Sequence, residues 1–373
     1  GKYASQYTFT EELQIQGQTP NGVLNWQVGG YFESSKPLNY NSAYNNTFID
    51  CIDAPSFNCT DPLGFGTISS ANIKNSFTNI GLYAQATYKL TDKFSVTGGV
   101  RYTIDRMKDQ SRNITAVIPT PGAPIFFCQN VAIFNQGSTA FPIFVDGPNS
   151  PTCDNVIKIK SEKPTWLINL DYKPTDDVLL YAKWARGYRQ GGTIPRYIGI
   201  EAWKPESVDT CEAGAKLSLR GAVPGYFNIA AFYNNFRDQQ LAVNSLIAPA
   251  FQGTMPPVQA IVNAGKSRIW GVEVEASVRP FEGLKIDAGY AYLNTELLKY
   301  TPPALPIYYS ALEAVAEVGG PLANSPKNRL TLTGSYTLPL DSSVGEIAFA
   351  ATYTHTDAAQ VLPYHLSPYK KKN

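Results

Sequence analysis

Twelve segments of this chain alternate apolar and polar residues with a period of two, and the connections between them alternate between short and long. FSVTGGVRYTID (94–105) shows the pattern most plainly. Phe94, Val96, Gly98, Val100, Tyr102 and Ile104 fall on one side, and Ser95, Thr97, Gly99, Arg101, Thr103 and Asp105 on the other. A β-strand sends successive side chains to opposite faces and so separates these two sets, whereas 3.6 residues per turn would mix them. The other segments are 7–16, 23–33, 79–89, 158–172, 178–188, 207–219, 226–236, 268–278, 284–295, 328–337 and 345–355. Most are close to the ~9–11 residues of a tilted membrane-spanning strand and longer than the roughly five or six usual in soluble sheets.

The short connections are 17–22, 90–93, 173–177, 220–225, 279–283 and 338–344. They are rich in Pro, Gly, Asp and Thr, which set turn dihedrals. The long ones are 34–78, 106–157, 189–206, 237–267 and 296–327. Short turns at one end and long loops at the other are the signature of an outer-membrane barrel, with turns toward the periplasm and loops outside. Compact soluble domains seldom hold several unstructured loops of such length. The expected fold is therefore all-β, a transmembrane antiparallel barrel forming a single unit over residues 1–373.

Composition agrees. Only 16% of residues are charged, against roughly 25% in soluble domains, and 12% are aromatic, with 23 Tyr and 18 Phe. No apolar run approaches the ~20 residues of a membrane helix, which leaves barrels open because their strands alternate. Aromatics cluster beside the short turns (Tyr88, Phe94, Tyr172, Tyr226, Phe227, Phe281, Tyr336) and again at the far ends (Phe32, Tyr102, Trp184, Tyr188, Tyr290, Tyr292). Two such belts are expected at the lipid headgroups. A net charge of +1, with the sole basic block at Lys370, Lys371 and Lys372, argues against a nucleic-acid partner. A start at Gly1 without a signal peptide and an end at Asn373 without a closing element are expected of an internal piece of a longer protein.

Of the five cysteines, Cys51 and Cys59 lie close together in one long loop, and Cys128 and Cys153 lie in another. These pairings suggest two disulfides and an oxidising compartment; four free thiols are the alternative. Cys211 falls on an apolar strand face with Ala213, Ala215, Leu217 and Leu219, where it acts as a small hydrophobe.

Several segments resemble the barrel of TonB-dependent outer-membrane receptors. GLYAQATYKLTDKFSVTGGVRYTIDR (81–106) is similar to the family's hairpin around a glycine-arginine-tyrosine strand. VLLYAKWARGYRQGG (178–192) resembles its tyrosine-rich strand and glycine loop, and KPESVDTCEAGAKL (204–217) its proline-glutamate entry. FNIAAFYNNFRDQQL (227–241), NAGKSRIWGVEVEASVRPFEGL (263–284) and ANSPKNRLTLTGSY (323–336) follow in the family's order. The resemblance implies a plugged barrel of about twenty-two strands, of which this chain supplies about twelve and lacks the plug, the TonB box and the last strands. It further implies outer-membrane lipid and the TonB complex as partners, the latter through the plug. The complete protein would be a monomer that takes up a scarce large ligand: a ferric siderophore first, then a cobalamin-like cofactor or an oligosaccharide.

No catalytic residue, cofactor site or metal site is expected. Arg101, Asp105, Lys183, Glu212, Lys216, Glu273, Glu275 and Arg329 point to the polar face, where they would form a solvated, mutually paired wall or meet plug and substrate. Tyr40, Tyr44, Phe48, Phe57 and Phe65 in one long loop, and Phe126, Phe127, Phe134, Phe141 and Phe144 in the next, suit either a bulky ligand or closure of the mouth. Two other classes fit a barrel. A passive porin would fill its lumen without a plug. A barrel enzyme would need a Ser, His and acid cluster at the rim; His355 and His365 read as surface histidines, and His355 has no evident partner in the sequence.

Overall fold

The computed structural model describes residues 5–128, 143–194, 199–251, 259–314, 316–341 and 343–360. His365, Phe134, Phe141 and Lys370–Lys372 lie outside the described residues. In chain order the strands are β1 (Gln6–Gln18), β2 (Leu24–Pro37), β3 (Asn41–Thr47), β4 (Asp50–Asp53), β5 (Asn58–Thr60), β6 (Thr67–Lys89) and β7 (Phe94–Thr120). There follow β8 (Ala123–Cys128), β9 (Ile143–Val145), β10 (Asp154–Thr175), β11 (Val178–Arg189), β12 (Gly192–Thr193), β13 (Ala202–Trp203) and β14 (Glu206–Leu219). The last are β15 (Gly225–Ile247), β16 (Gln259–Val278), β17 (Leu284–Tyr300), β18 (Tyr309–Ala314), β19 (Asn328–Thr337) and β20 (Ala348–Thr356).

Twelve of these form one antiparallel wall in the order β1-β2-β6-β7-β10-β11-β14-β15-β16-β17-β19-β20. Each neighbour in the wall is also the next wall strand in sequence, as hairpin connections require. All twelve alternating segments fall in this wall. The turns are built as their residues dictate. In the 17–22 connection Gly22 takes φ of +66°, a left-handed conformation open to glycine, and its N–H donates to the Thr19 carbonyl. In 90–93 the Thr91 hydroxyl oxygen accepts from the backbone N–H groups of Lys93 and Phe94 at 3.2 and 3.0 Å.

The long connections are not the loops that sequence patterning suggests. β6 and β7 remain paired from Lys89–Ser95 as far as Ile68–Ala116, twenty-two rungs in all. That is about twice what a bilayer needs. Likewise β15 and β16 stay paired out to Asn244–Gln259, past an irregularity between Phe236 and Gln240. Beyond the bilayer a backbone still requires partners, and the ladder supplies them.

The buried core sits in these extensions. Ile49, Phe57, Cys59, Ile68, Ala116 and Ile118 form one cluster, and Ile200, Val243, Ile247, Ala260, Val262, Tyr308, Tyr309 and Leu312 are part of another. The wall itself leaves its apolar face open: Leu82, Val100 and Trp184 are all exposed. At the short-turn end Phe94 meets Tyr172 and Phe281 meets Tyr336, with ring centroids 6.4 and 6.2 Å apart. Toward the long-hairpin end Trp166 meets Trp184 at 6.0 Å and Trp270 meets Tyr292 at 5.4 Å. The two aromatic belts therefore exist. Tyr188 departs from them: its hydroxyl donates to Asp105 on the polar face. β10 and β11 stop pairing at Trp166–Arg186, which frees β11 to turn beyond Gly187.

Candidate functional site

The polar face carries two groups of side chains. The first centres on Arg101. Its guanidinium lies over the rings of Tyr31 and Tyr83, 5.8 and 5.9 Å from their centroids, and Nε donates to Thr103 Oγ1 at 3.0 Å. Register makes this possible: Arg101 faces Tyr83, and Tyr31 faces Gly81. A Cβ at Gly81 would fall on the guanidinium, so only glycine leaves Arg101 its place. The flanking hydroxyls are taken by acids. Tyr31 donates to Glu33 Oε2 at 2.8 Å, and Tyr83 donates to Glu12 Oε1 at 2.6 Å across the intervening strand. Asp105 accepts from both Asn79 and Tyr188. β1, β2, β6, β7 and β11 all contribute.

The second group gathers the remaining sequence candidates. Lys183 Nζ lies 2.9 Å from Glu212 Oε2, and the Tyr181 hydroxyl donates to Glu212 Oε1 at 2.9 Å. Lys216 sits 6.0 Å from the Tyr181 ring centroid. Lys216, Glu273, Glu275 and Arg329 line one shallow recess of about 510 Å³ together with Tyr181 and Asn228. Asn228 Nδ2 donates to Glu275 at 3.3 Å. The eight candidates thus fall into two clusters. Sequence reading missed Glu12, Tyr31, Glu33 and Tyr181 as members. Their signal was polarity on the same face as Arg101 or Lys183, and their convergence depends on register.

The loop aromatics divide by role. Tyr40 is covered by Lys74, 4.3 Å from its centroid, and by Arg112 at 5.9 Å. Arg112 in turn holds Asp154 with Nε and Nη2 at 2.6 and 3.1 Å. Tyr44 and Phe126 both pack edge-on to Phe57, at 6.2 and 5.0 Å, and so tie hairpins together. Phe127 is half-buried. Phe48, 65% exposed, pairs with the equally exposed Phe65 at 5.5 Å. Cys51–Cys59 and Cys128–Cys153 are bonded, and Cys211 is free and exposed between Trp184 and Tyr233. His355 does have a partner: Nε2 lies 3.1 Å from Asp357 Oδ1, and Asp357 also accepts from Asn328. That bridge ties β20 to β19.

In the Asp109-to-Asn113 stretch of β7, Asp109 Oδ1, Ser111 Oγ and Asn113 Oδ1 are buried without a hydrogen-bond partner among the described residues. Asp109 Oδ2 accepts from Thr193 Oγ1 at 3.1 Å, and burial pushes its carboxyl above the usual carboxylate range.

A twelve-strand antiparallel meander with one apolar face rimmed by two aromatic belts, one polar face, and short turns opposite long hairpins is the wall of an outer-membrane β-barrel. The family model described as "TonB dependent receptor-like, beta-barrel" matches residues 2–369, and the chain belongs to that family of transport receptors. Its place is the outer membrane of a Gram-negative cell. Among curated relatives it is similar to the pesticin receptor of Yersinia enterocolitica and that of Yersinia pestis, each 23% identical over 273 residues. The match takes in 72% of this chain and 31% of either relative. Two solved structures share the fold at a TM-score of 0.62 and 17% identity: the ferric yersiniabactin uptake receptor FyuA from Yersinia pestis and the siderophore receptor PiuA from Acinetobacter baumannii. Each covers 94% of this chain, which spans 42% of the first and 46% of the second.

Proposed function

We propose that this wall belongs to a receptor for TonB-energised uptake of a scarce, large ligand, a ferric siderophore first among the options. The polar face carries the reading. Arg101, held between two tyrosines and ringed by Glu12, Glu33 and Asp105, presents fixed charges to the lumen. A plug of complementary polarity would dock there. Extended hairpins crosslinked by two disulfides form an extracellular surface, stiffened before any ligand arrives. Two of the structures that share the fold are a ferric yersiniabactin uptake receptor and a siderophore receptor, which favours iron carriers over cobalamin-like cofactors and oligosaccharides.

The test is growth of a receptor-deletion strain on single iron sources, complemented with the full-length gene, in the presence and absence of TonB. TonB-dependent rescue on a ferric siderophore is the expected result. Rescue independent of TonB would replace this reading with a passive porin.

A further inference from the structure

The polar face of the wall is divided by charge. On the β1–β2–β6–β7–β10 side, two consecutive rows of the ladder carry only uncharged side chains. One row is Gln18, Asn25, Thr87, Thr97 and Asn169, and the next is Gln16, Gln27, Gln85, Gly99 and Leu167. A recess of about 370 Å³ opens there, with Gln16, Gln18, Asn25, Gln27, Gln85 and Thr87 as its polar lining. Thr87 and Thr97 share a hydrogen bond at 2.8 Å, and Gln14, one row further from the turns, donates from Nε2 to Gln27 Oε1 at 3.0 Å. Among the described residues the amides of Gln16, Gln18, Asn25 and Gln85 make no side-chain hydrogen bond.

Across β14 to β19 the same face is ionic. Lys216 and Glu275 share a row through Asn228, and Glu273 and Arg329 share the next through Ala291. None of these four has an ion pair among the described residues, so this sector is suited to hold a plug by charge. The uncharged rows offer what a passage needs instead. Cargo that must both enter and leave is best served by weak, repeated contacts. A hydrogen bond to an amide replaces one to water at a net ~0.5–1.5 kcal/mol, which holds nothing for long. The relief is also low. The Tyr83 ring lies so close over Gly29 that no Cβ fits there, and Gly99 interrupts the second row.

Charge narrows the cargo. No cation stands in either row. Further from the turns, Arg101 and Lys163 stand among Glu12, Glu33 and Asp105, two cations against three carboxylates. Toward the turns Lys89 and Asp171 flank Ser95 and cancel. A polyanion would cross this sector with nothing to offset its charge, inside the ~8 Å screening length. A chelate whose charges cancel at the metal, and whose surface is carbonyl and amide, meets only hydrogen-bonding partners there. We propose that the β1–β2–β6–β7–β10 side of the lumen is the exit lane for cargo, and that the cargo is an electroneutral ferric chelate of the trishydroxamate kind. Iron(III) with three hydroxamates is neutral, whereas iron(III) with three catecholates is a trianion. The inference rests on the uptake reading above and adds to it a route and a charge class.

The experiment uses the full-length receptor with Cys211→Ala, in cells lacking other ferric-siderophore receptors. Two radio-iron probes are compared: ferrichrome, a neutral trishydroxamate, and ferric enterobactin, a tris-catecholate trianion. Ferrichrome should enter at least about tenfold faster. Gln27→Cys and Gln85→Cys, each alone, are then treated with benzyl methanethiosulfonate during uptake. The attached ring should cut ferrichrome uptake at least about tenfold, while ferrichrome bound to de-energised cells stays unchanged. The Cys211→Ala parent and Thr333→Cys, on the polar face of β19 beyond the ionic recess, should lose less than about twofold under the same treatment. Each variant is compared with itself before modification, so a folding defect does not enter. Failure of the reagent to reach both lane cysteines, modification without loss of uptake, or equal loss at Thr333→Cys overturns the route. Uptake of ferric enterobactin equal to that of ferrichrome overturns the charge class. If neither chelate enters, the proposal falls, and the growth test on other iron sources shows separately whether the transport reading falls too.

Discussion

Placing arginine at Val100 and, separately, at Thr97 tests which face of the wall meets lipid. Both residues lie on β7, three positions apart and on opposite faces. Val100 is 54% exposed and sits between Ala84 and Trp166 in the ladder. It lies six residues past Phe94 in the short-turn belt, ~20 Å along the strand and ~15 Å along the membrane normal at a tilt of ~40°. The apolar band is ~25 Å tall, so Val100 falls in its outer half, ~5 Å short of the belt at Tyr102, where an arginine costs ~2–3 kcal/mol, between the midplane and interface values. Thr97 instead shares a hydrogen bond with Thr87 at 2.8 Å on the polar face. An arginine there forfeits that bond, ~1 kcal/mol, and keeps its charge in a polar setting. The difference of roughly 1.5 kcal/mol corresponds to about a tenfold difference in the folded-to-unfolded ratio. The assay is urea-dependent folding of the full-length receptor into liposomes, read by the heat-modifiable mobility of folded barrels. Val100→Arg should lower the unfolding free energy by that amount relative to Thr97→Arg, seen as a lower urea midpoint at unchanged slope. Equal midpoints, or a larger loss at Thr97, would refute the assignment of faces.

Other outcomes follow from the same geometry. Arg101→Ala removes a cation held by two rings; a loss of ~1–2 kcal/mol in thermal stability and reduced uptake are expected, with Arg101→Lys restoring only part because ammonium cannot stack as guanidinium does. Burial raises the Asp109 carboxyl above its unfolded value of 3.8, so the folded hairpin holds the proton more tightly and gains stability as pH falls through the raised value. Amide exchange across β7, corrected for its intrinsic pH dependence, should therefore slow on acidification, and Asp109→Asn should make it slow at all pH values. Replacing Cys51 and Cys59 together by serine should loosen the β4–β5 hairpin, as should replacing Cys128 and Cys153 at β8; each loss is ~2–4 kcal/mol of local stability, seen as faster proteolysis under non-reducing conditions. Free thiols at all four positions in non-reducing peptide maps would remove that expectation.

The alternation of residues by itself determined the strands, their faces, the two aromatic belts and the side of the wall on which each of the eight charged candidates stands. These are local properties: a side chain's face depends only on whether its position is odd or even along the strand. The paired cysteines were legible for a similar reason, being neighbours within single connections. Length of ladder was not legible, because the stretches read as loops (34–78 and 106–157) carry weaker alternation than the wall. Pairing beyond the bilayer is fixed by what each extension packs against, as Ile68, Ala116 and Ile118 show by closing around Phe57. Only tertiary structure decided that Arg101 would lie between Tyr31 and Tyr83, or that Tyr188 would leave its belt for Asp105. Each of these joins strands whose relative register is set by every hairpin between them, and a slip of one residue in any of those hairpins would send the partner to the other face.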